Sequence, residues 1–425
     1  MYLVTFLKEL SLENFTPELQ LIIAILSYYS QNINHYNSLD DIIPVPTYPT
    51  DINWQLLYKL TIRHRVTHQV YSYLNQLPNK TLSPTYLNLT QFYQTDKLCI
   101  LAIAGETVRI AREFAKNNIT YALVKGIILN VHIYNQLDSR SCKDIDVWVD
   151  QNQYKIAMDI LYLLGYKKHF PTYELHGYKE QYYLSHRHDI AFYHNKRKVC
   201  VELHFNLNYF GINYFPIAKP ILQPITLLGT LVYTLDDNYH LLYLMLHSAT
   251  HAYSRIRWLN DIVLYVKSGK CDLNKVLNNA GEIGAIHIVV FSLILIRDIF
   301  AVNNPEIQLI IAQNSTKQST YLVKLCEQFI RADYELIDGV GSSIVMFSKY
   351  RWYLLHLAVK GQRLKALLGD WFKIDNLFPY MTLPTPLAFV YYLCYPFWVI
   401  KYLVSGIIRQ AKSSIELLHN QEKAQ

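Results

Sequence analysis

The sequence predicts an α+β fold: a small mixed β-sheet core with flanking helices, embedded between N-terminal and C-terminal helical regions. Three observations carry this expectation. Apolar residues at helical spacing fill roughly the first hundred residues. A period-two alternation takes over between residues 119 and about 208, and helical spacing returns from Asp236 onward. The expected divisions are 1–115, an N-terminal helical region; 116–230, the sheet-bearing core; and 231–425, a C-terminal helical region with an apolar tail.

Each element follows from its local pattern. "TPELQLIIAILSYYSQ" and "INWQLLYKLTIRHRVTHQVYSYLNQL" have helical apolar spacing, and the three prolines of "NSLDDIIPVPTYPTD" separate them. "YLNLTQFYQTDKLCILAIAGETVRIAREFAKNN" predicts a long helix stopping at Asn117–Asn118. "ITYALV" is a short strand, "GIILNVHIYNQ" a helix opening at Gly126, and "IDVWV" a second strand. "QNQYKIAMDILYLLGY" is a helix with a Gly165 stop. "HDIAFYH" and "KVCVELHFNL" alternate with period two around the turn "NKR", so the core reads β–α–β–α–β–β.

Composition narrows the class. Of 425 residues, 51% are hydrophobic and 17% charged, which excludes a disordered chain. A formal charge of +7 suits an anionic substrate and is too small to imply a nucleic-acid binder by itself. The six cysteines form no CxxC pair, which fits reduced thiols in a cytoplasmic protein. The N-terminus has no signal-peptide pattern. The apolar stretch 387–408 has the length of a membrane span but contains Pro396 and Lys401. The first expectation is a docked helix pair broken at Pro396. Peripheral membrane contact through 387–408 is the second, and a true span the third.

Two acids stand out inside a strand. Asp144 and Asp146 project to one face, about 6.5–7 Å apart along the strand. Carboxylates that close repel unless a cation lies between them, and their hard oxygens suit Mg²⁺ (or Mn²⁺). A third acid, Glu202, shares a strand face with His204, opposite Val201 and Leu203. A DxD pair alone is a weak signal, because acids at strand ends often cap helices or meet solvent. The order Gly126, DxD, then an acid on a later hairpin strand is more specific.

Those residues carry a resemblance. "LVKG", "KDIDVWV", "VELHFNL" and "HLLYLMLHSATHAYSRIRWLNDIVLYV" occur in order over roughly residues 95 to 270. This pattern resembles the uncharacterised bacterial nucleotidyltransferase family of the DNA polymerase beta-like superfamily. The resemblance implies a nucleotidyltransferase core and metal-dependent transfer from a nucleoside triphosphate. It implies that Asp144 and Asp146 bind metal, that Glu202 is the third metal-binding acid and takes the acceptor's proton, and that Gly126 admits phosphate oxygens. The wider superfamily has Gly-Ser or Gly-Gly at this turn; here Lys125–Gly126 stand there, with Lys125 as a point charge in place of the hydroxyl.

Arg140 and Lys143 flank the acids and are expected to meet the triphosphate, Arg140 in bidentate fashion. Their bland reading is a solvated loop. His204, His247, His251 and Arg255 are expected cleft residues. His247 and His251 have the i, i+4 spacing of a zinc pair but lack the accompanying glutamate, so packing with polar groups turned to the cleft is preferred. Asp261 lies four residues after Arg257, which suggests an internal ion pair.

The expected activity is transfer of a nucleoside monophosphate from an NTP, ATP by preference, to an acceptor hydroxyl on a protein, peptide or small molecule, with release of pyrophosphate. The absence of a basic stripe argues against long nucleic acid as the acceptor. Two alternatives remain: an inactive or regulatory nucleotide-binding protein on this scaffold, and a kinase-like transfer of the γ-phosphoryl group.

Overall fold

A computed structural model of the chain describes residues 10–32, 52–77, 84–207, 221–332, 344–358 and 373–401. The chain opens with the helices α1 (Pro17–Asn32), α2 (Trp54–His64), α3 (Thr67–Leu74) and the long α4 (Pro84–Lys116). The stretch read from sequence as a continuous helix is two, because Arg65 ends α2 in the left-handed region at φ 54°. The proline-rich loop predicted after α1 lies outside the described residues.

The sheet is built from β1 (Tyr121–Leu123), β2 (Asp144–Val149), β3 (Lys167–Phe170), β4 (Asp189–His194), β5 (Val199–His204), β6 (Leu222–Leu227) and β7 (Thr230–Leu235). Helices α5 (Ile127–His132), α6 (Tyr154–Leu163) and α7 (Gly177–His186) connect strands. The strand order is β3-β4-β5-β2-β1-β7-β6. β2 runs parallel to β5 and β1 parallel to β7, while the other neighbours are antiparallel, so the sheet is mixed. The α+β class expected from the sequence is the class observed. The sheet adds three strands to the expected set. β3 is mostly exposed, and the β6–β7 hairpin carries Pro224 on an edge strand.

Strand alternation sorts the two faces between two cores. Ile145, Val147, Val149, Val201, Leu203, Ile190 and Phe192 join a core with Ile103, Phe114 and Ile160 from α4 and α6. Ala122, Val124 and Trp148 face the other way, into a core with α8 (Asp237–Thr250), α9 (Ile256–Lys267), α10 (Leu273–Glu282) and α11 (Ile286–Phe300). Helices α12 (Pro305–Asn314), α13 (Lys317–Arg331) and α14 (Ile344–Leu357) extend that helical side. The site acids stand on this second face.

The apolar tail differs from expectation. A helix runs over 389–401 straight through Pro396. Proline cannot donate to the carbonyl four residues back, and that residue, Tyr392, is on the exposed side. Tyr391 and Tyr395 are buried, while Phe389, Leu393, Phe397 and Ile400 are exposed. Residues 402–408 lie outside the described set. Among the described residues, no helix is long and apolar enough to cross a membrane.

Candidate active site

The β2–β5 register creates the acidic wall. Parallel pairing sets Asp146 opposite Glu202 and Asp144 opposite Cys200. Side chains two apart share a face, so Asp144, Asp146, Glu202 and His204 converge on the helical side. Ligand atoms of Asp146, Glu202 and His204 all lie within 4.8 Å of one another. The Nε2 of His204 is 3.1 Å from Asp146 and 3.6 Å from Glu202, and Lys125 Nζ is 2.8 Å from Asp146. Two carboxylates and an imidazole form a donor set that suits a divalent cation, with Asp144 next along the same strand.

The electrostatics of the wall are uneven. Burial alone would raise the pKa of Asp146, but Lys125 and His204 hold it far below the usual carboxylate range. Asp144 is pushed up by burial and by Asp146, against the pull of Lys125, Arg257 and Arg65. Glu202 is also raised, by burial and Asp146, with the His204 hydrogen bond opposing. His204 overcomes its burial through Asp146 and Glu202 and rises to about 9. One lysine and one histidine thus satisfy Asp146, while its two neighbours remain costly to ionise.

The opposite wall is basic. A cavity of about 350 Å³ runs between Asp144, Asp146 and Glu202 on the strands and Arg65, Arg255 and Arg257. Its size falls within the range of small-molecule sites, roughly 300–1,000 Å³. Arg257 is 8% exposed and donates to the Ser141 carbonyl at 3.1 Å. Its buried Nε has no hydrogen-bond partner among the described residues. Burial, then Arg140, Arg65 and Arg255, pull its pKa down to about 9. A buried guanidinium among others calls for an anion.

A short linker from α8 to α9 arranges this wall. Ala252 and Tyr253 both take left-handed backbone angles, φ 51° and 48°. Such strain outside glycine persists where packing holds it, and Tyr253 is fully buried with its hydroxyl on Ser292 at 2.6 Å. The turn sets His251 and Arg255 side by side against Trp258. His251 stacks on that indole at 5.1 Å, and the Arg255 guanidinium lies 5.3 Å from its centroid. His247 is pushed well below its ordinary value and His251 to about 3, in each case by burial first and then Lys125, so both are neutral near pH 7. They line the cavity, and the candidate metal cluster among the described residues is the Asp146–Glu202–His204 group instead.

Arg140 lines the cavity and has an internal partner. Its fork is filled by Asp261, with Nε to Oδ1 at 2.8 Å and Nη2 to Oδ2 at 2.9 Å, and it is buried. That pair occupies the Nε/Nη2 edge of the guanidinium and braces the loop before β2 against α9. The internal Arg257–Asp261 pair gives way to this contact. Gly126 also has a packing role. It sits at φ 64°, and a Cβ there would come within 2.9 Å of Cys142 Sγ and 3.2 Å of the Asp144 carbonyl. The α5 it opens is only six residues long. Lys143 is exposed at the cavity rim.

The sequence reading missed Arg65, His188, Asp189 and Trp258, all of which line the cavity. Asp189 carried a usable signal. It pairs with His204 in the β4–β5 ladder, so period-two counting sets it on the Glu202 face. His188 stacks on His204 at 5.6 Å, and burial pushes it down to about 4. Arg65 had no signal, since nothing around it marks a helix break.

The chain belongs to a protein family described as uncharacterised nucleotidyltransferase, whose model matches residues 50–301, more than half of the sequence. No curated protein matches the chain. Among solved structures, an antigenic nucleotidyltransferase-like protein from Paracoccidioides brasiliensis is similar at 14% identity, covering 52% of this chain and 96% of that one. The TM-score is 0.29, too low for the likeness to bear on activity.

Proposed function

We propose that the protein is a divalent-cation-dependent nucleotidyltransferase of the DNA polymerase beta-like superfamily. It moves a nucleoside monophosphate from an NTP, with ATP as the first candidate, to an acceptor hydroxyl. Asp144, Asp146 and Glu202 would hold Mg²⁺ or Mn²⁺, which supplies charge neutralisation on the phosphates when bound. Arg257, with Arg65 and Arg255, meets the negative charge of the triphosphate, and Lys125 adds a point charge from the strand side. Glu202, one-third exposed, takes the proton as the acceptor oxygen attacks the α-phosphorus. A new oxygen–phosphorus bond forms, the bond to the α–β bridging oxygen breaks, and pyrophosphate leaves with the electron pair. His204 touches both Asp146 and Glu202 and fixes their orientation.

The observation that carries this reading is the β2–β5 register, which sets Asp146 beside Glu202 in the cavity that Arg257 closes. ATP labelled at the α- or γ-phosphate tests it. Label from the α-phosphate on an acceptor, with release of pyrophosphate, is the expected result. Transfer of γ-label identifies a kinase-like reaction instead, and nucleotide binding without transfer of either identifies a regulatory binder.

A further inference from the structure

The C-terminal segment turns one face to the fold and the other to solvent. Its inner face is anchored. Ile374, Leu377 and Phe378 are buried in the core that α4 and α6 share with the sheet. The Arg187 guanidinium pairs with Asp375, and Lys179 Nζ donates to the Phe378 carbonyl at 2.8 Å. Tyr391 and Tyr395 carry that contact into the helix over 389–401, and the Tyr391 hydroxyl donates to the Met381 carbonyl at 3.1 Å. A helix that only packs on a core turns polar residues outward. Here Phe389, Leu393 and Phe397 recur every four residues and Ile400 follows, so they form one stripe, and each is more than half exposed. At 1.5 Å per residue the stripe is about 16 Å long.

We propose that this stripe is a docking surface for a membrane that carries anionic lipid, with the helix lying in the plane of the headgroups. The proposal does not depend on the nucleotidyl-transfer reading. Charge chooses the occupant. From 376 to 415 the sequence has three basic residues, Lys401, Arg409 and Lys412, and no acidic one. An apolar face in a segment of positive charge suits acyl chains beside anionic headgroups. A second copy of the chain would bring the same sign of charge to the same face, which opposes pairing. Geometry sets the depth. Tyr391 and Tyr395 fix one side of the helix in the core, and the stripe is the side it presents outward. An interfacial helix buries its apolar face about 5–10 Å, within reach of large side chains standing on one face. Crossing a bilayer takes about 20 apolar residues in one helix, and no helix among the described residues is long and apolar enough.

The test is flotation of the full chain with phosphatidylcholine vesicles that contain or lack phosphatidylserine. Wild type should float with the anionic vesicles. High salt should weaken that binding without abolishing it, because apolar contact is not screened. Leu393→Gln combined with Phe397→Gln interrupts the stripe at exposed positions. This double variant should bind anionic vesicles about tenfold or more weaker, as two large apolar side chains are withdrawn from lipid. Its thermal midpoint and nucleotide binding should match wild type. Leu393→Phe combined with Phe397→Leu keeps the apolar area and should float as wild type does. Phe389→Gln, at the other end of the stripe, gives a second reading should the double variant not fold. Four results would overturn the proposal: wild type left at the bottom of the gradient, a double variant that floats like wild type, equal binding to both kinds of vesicle, or a vesicle-free dimer in sedimentation velocity that the double variant abolishes. The last would assign the stripe to a second copy of the chain.

Discussion

Two buried charge clusters sit on opposite sides of the sheet, and they are balanced differently. Behind the sheet, Glu106 of α4 accepts from Arg109 and from the Tyr166 hydroxyl at 2.9 Å, and pairs with Arg197 at 2.7 Å. Burial would raise its pKa, yet these partners hold it below the ordinary value. In the cleft, Asp144 and Glu202 are raised and Arg257 is lowered. The first cluster is closed: each charge has met its partner inside the chain. The second has acids that favour more positive charge facing a guanidinium that favours negative charge. A cation carrying an anionic ligand answers both demands at once. In this chain the perturbed groups of the cleft leave such a demand open, and those behind the sheet do not.

The largest effect is expected at Asp146, in the open cluster. Asp146→Asn should lower transfer by about 10³-fold or more, the effect of several kcal/mol of lost charge stabilisation. The thermal midpoint should fall as well, because Lys125 and His204 lose the buried carboxylate they pair with, so activity is compared per folded molecule. Normal activity with ordinary Mg²⁺ dependence in this variant would remove the acidic wall from the chemistry.

A smaller effect is expected on the basic wall. Arg257→Gln should weaken calorimetric binding of Mg²⁺–ATP about 10- to 100-fold, the range of a charge-assisted hydrogen bond. Unchanged affinity would mean that the unmet positive charge has no bearing on nucleotide.

The smallest effect belongs to the closed cluster. Glu106→Gln should cost about 1 kcal/mol of stability, since Arg197 is half-exposed and its pair is screened. Activity per folded molecule should not change. The sign with pH is fixed. A carboxylate with a depressed folded pKa contributes stability above its ordinary value of 4.5, and that contribution is lost as pH falls through the folded pKa. The difference between wild type and variant should therefore shrink toward acid pH. A difference that grows on acidification would show that Glu106 is not held ionised by its partners.

Much of the acidic wall was legible in sequence because strand alternation is a local rule. Asp144, Asp146, Glu202 and His204 each announced their face through the apolar residues between them. The basic wall was not legible, since its contacts join distant segments. Asp261 finds Arg140 across 121 residues, while counting along the helix offered only Arg257. Lys125 was read as a phosphate receiver from its position beside Gly126, and its contact with Asp146 depends on how β1 ends beside β2. The β6–β7 hairpin escaped because an edge strand with a proline and exposed apolar residues lacks the alternation of a half-buried one. The break at Arg65 escaped because a non-glycine residue bears the left-handed turn.

That break has a practical consequence for dissecting the chain. Arg63 and Arg65, two positions apart, have different neighbours: Arg63 ties down the end of α13, and Arg65 lines the acid-bearing cavity. The amino-terminal helices are therefore not a detachable appendage to a self-sufficient catalytic unit. A truncated protein beginning at β1 would keep all three acids yet lack Arg65, which lines the cavity they share. Its inactivity would say nothing about those acids.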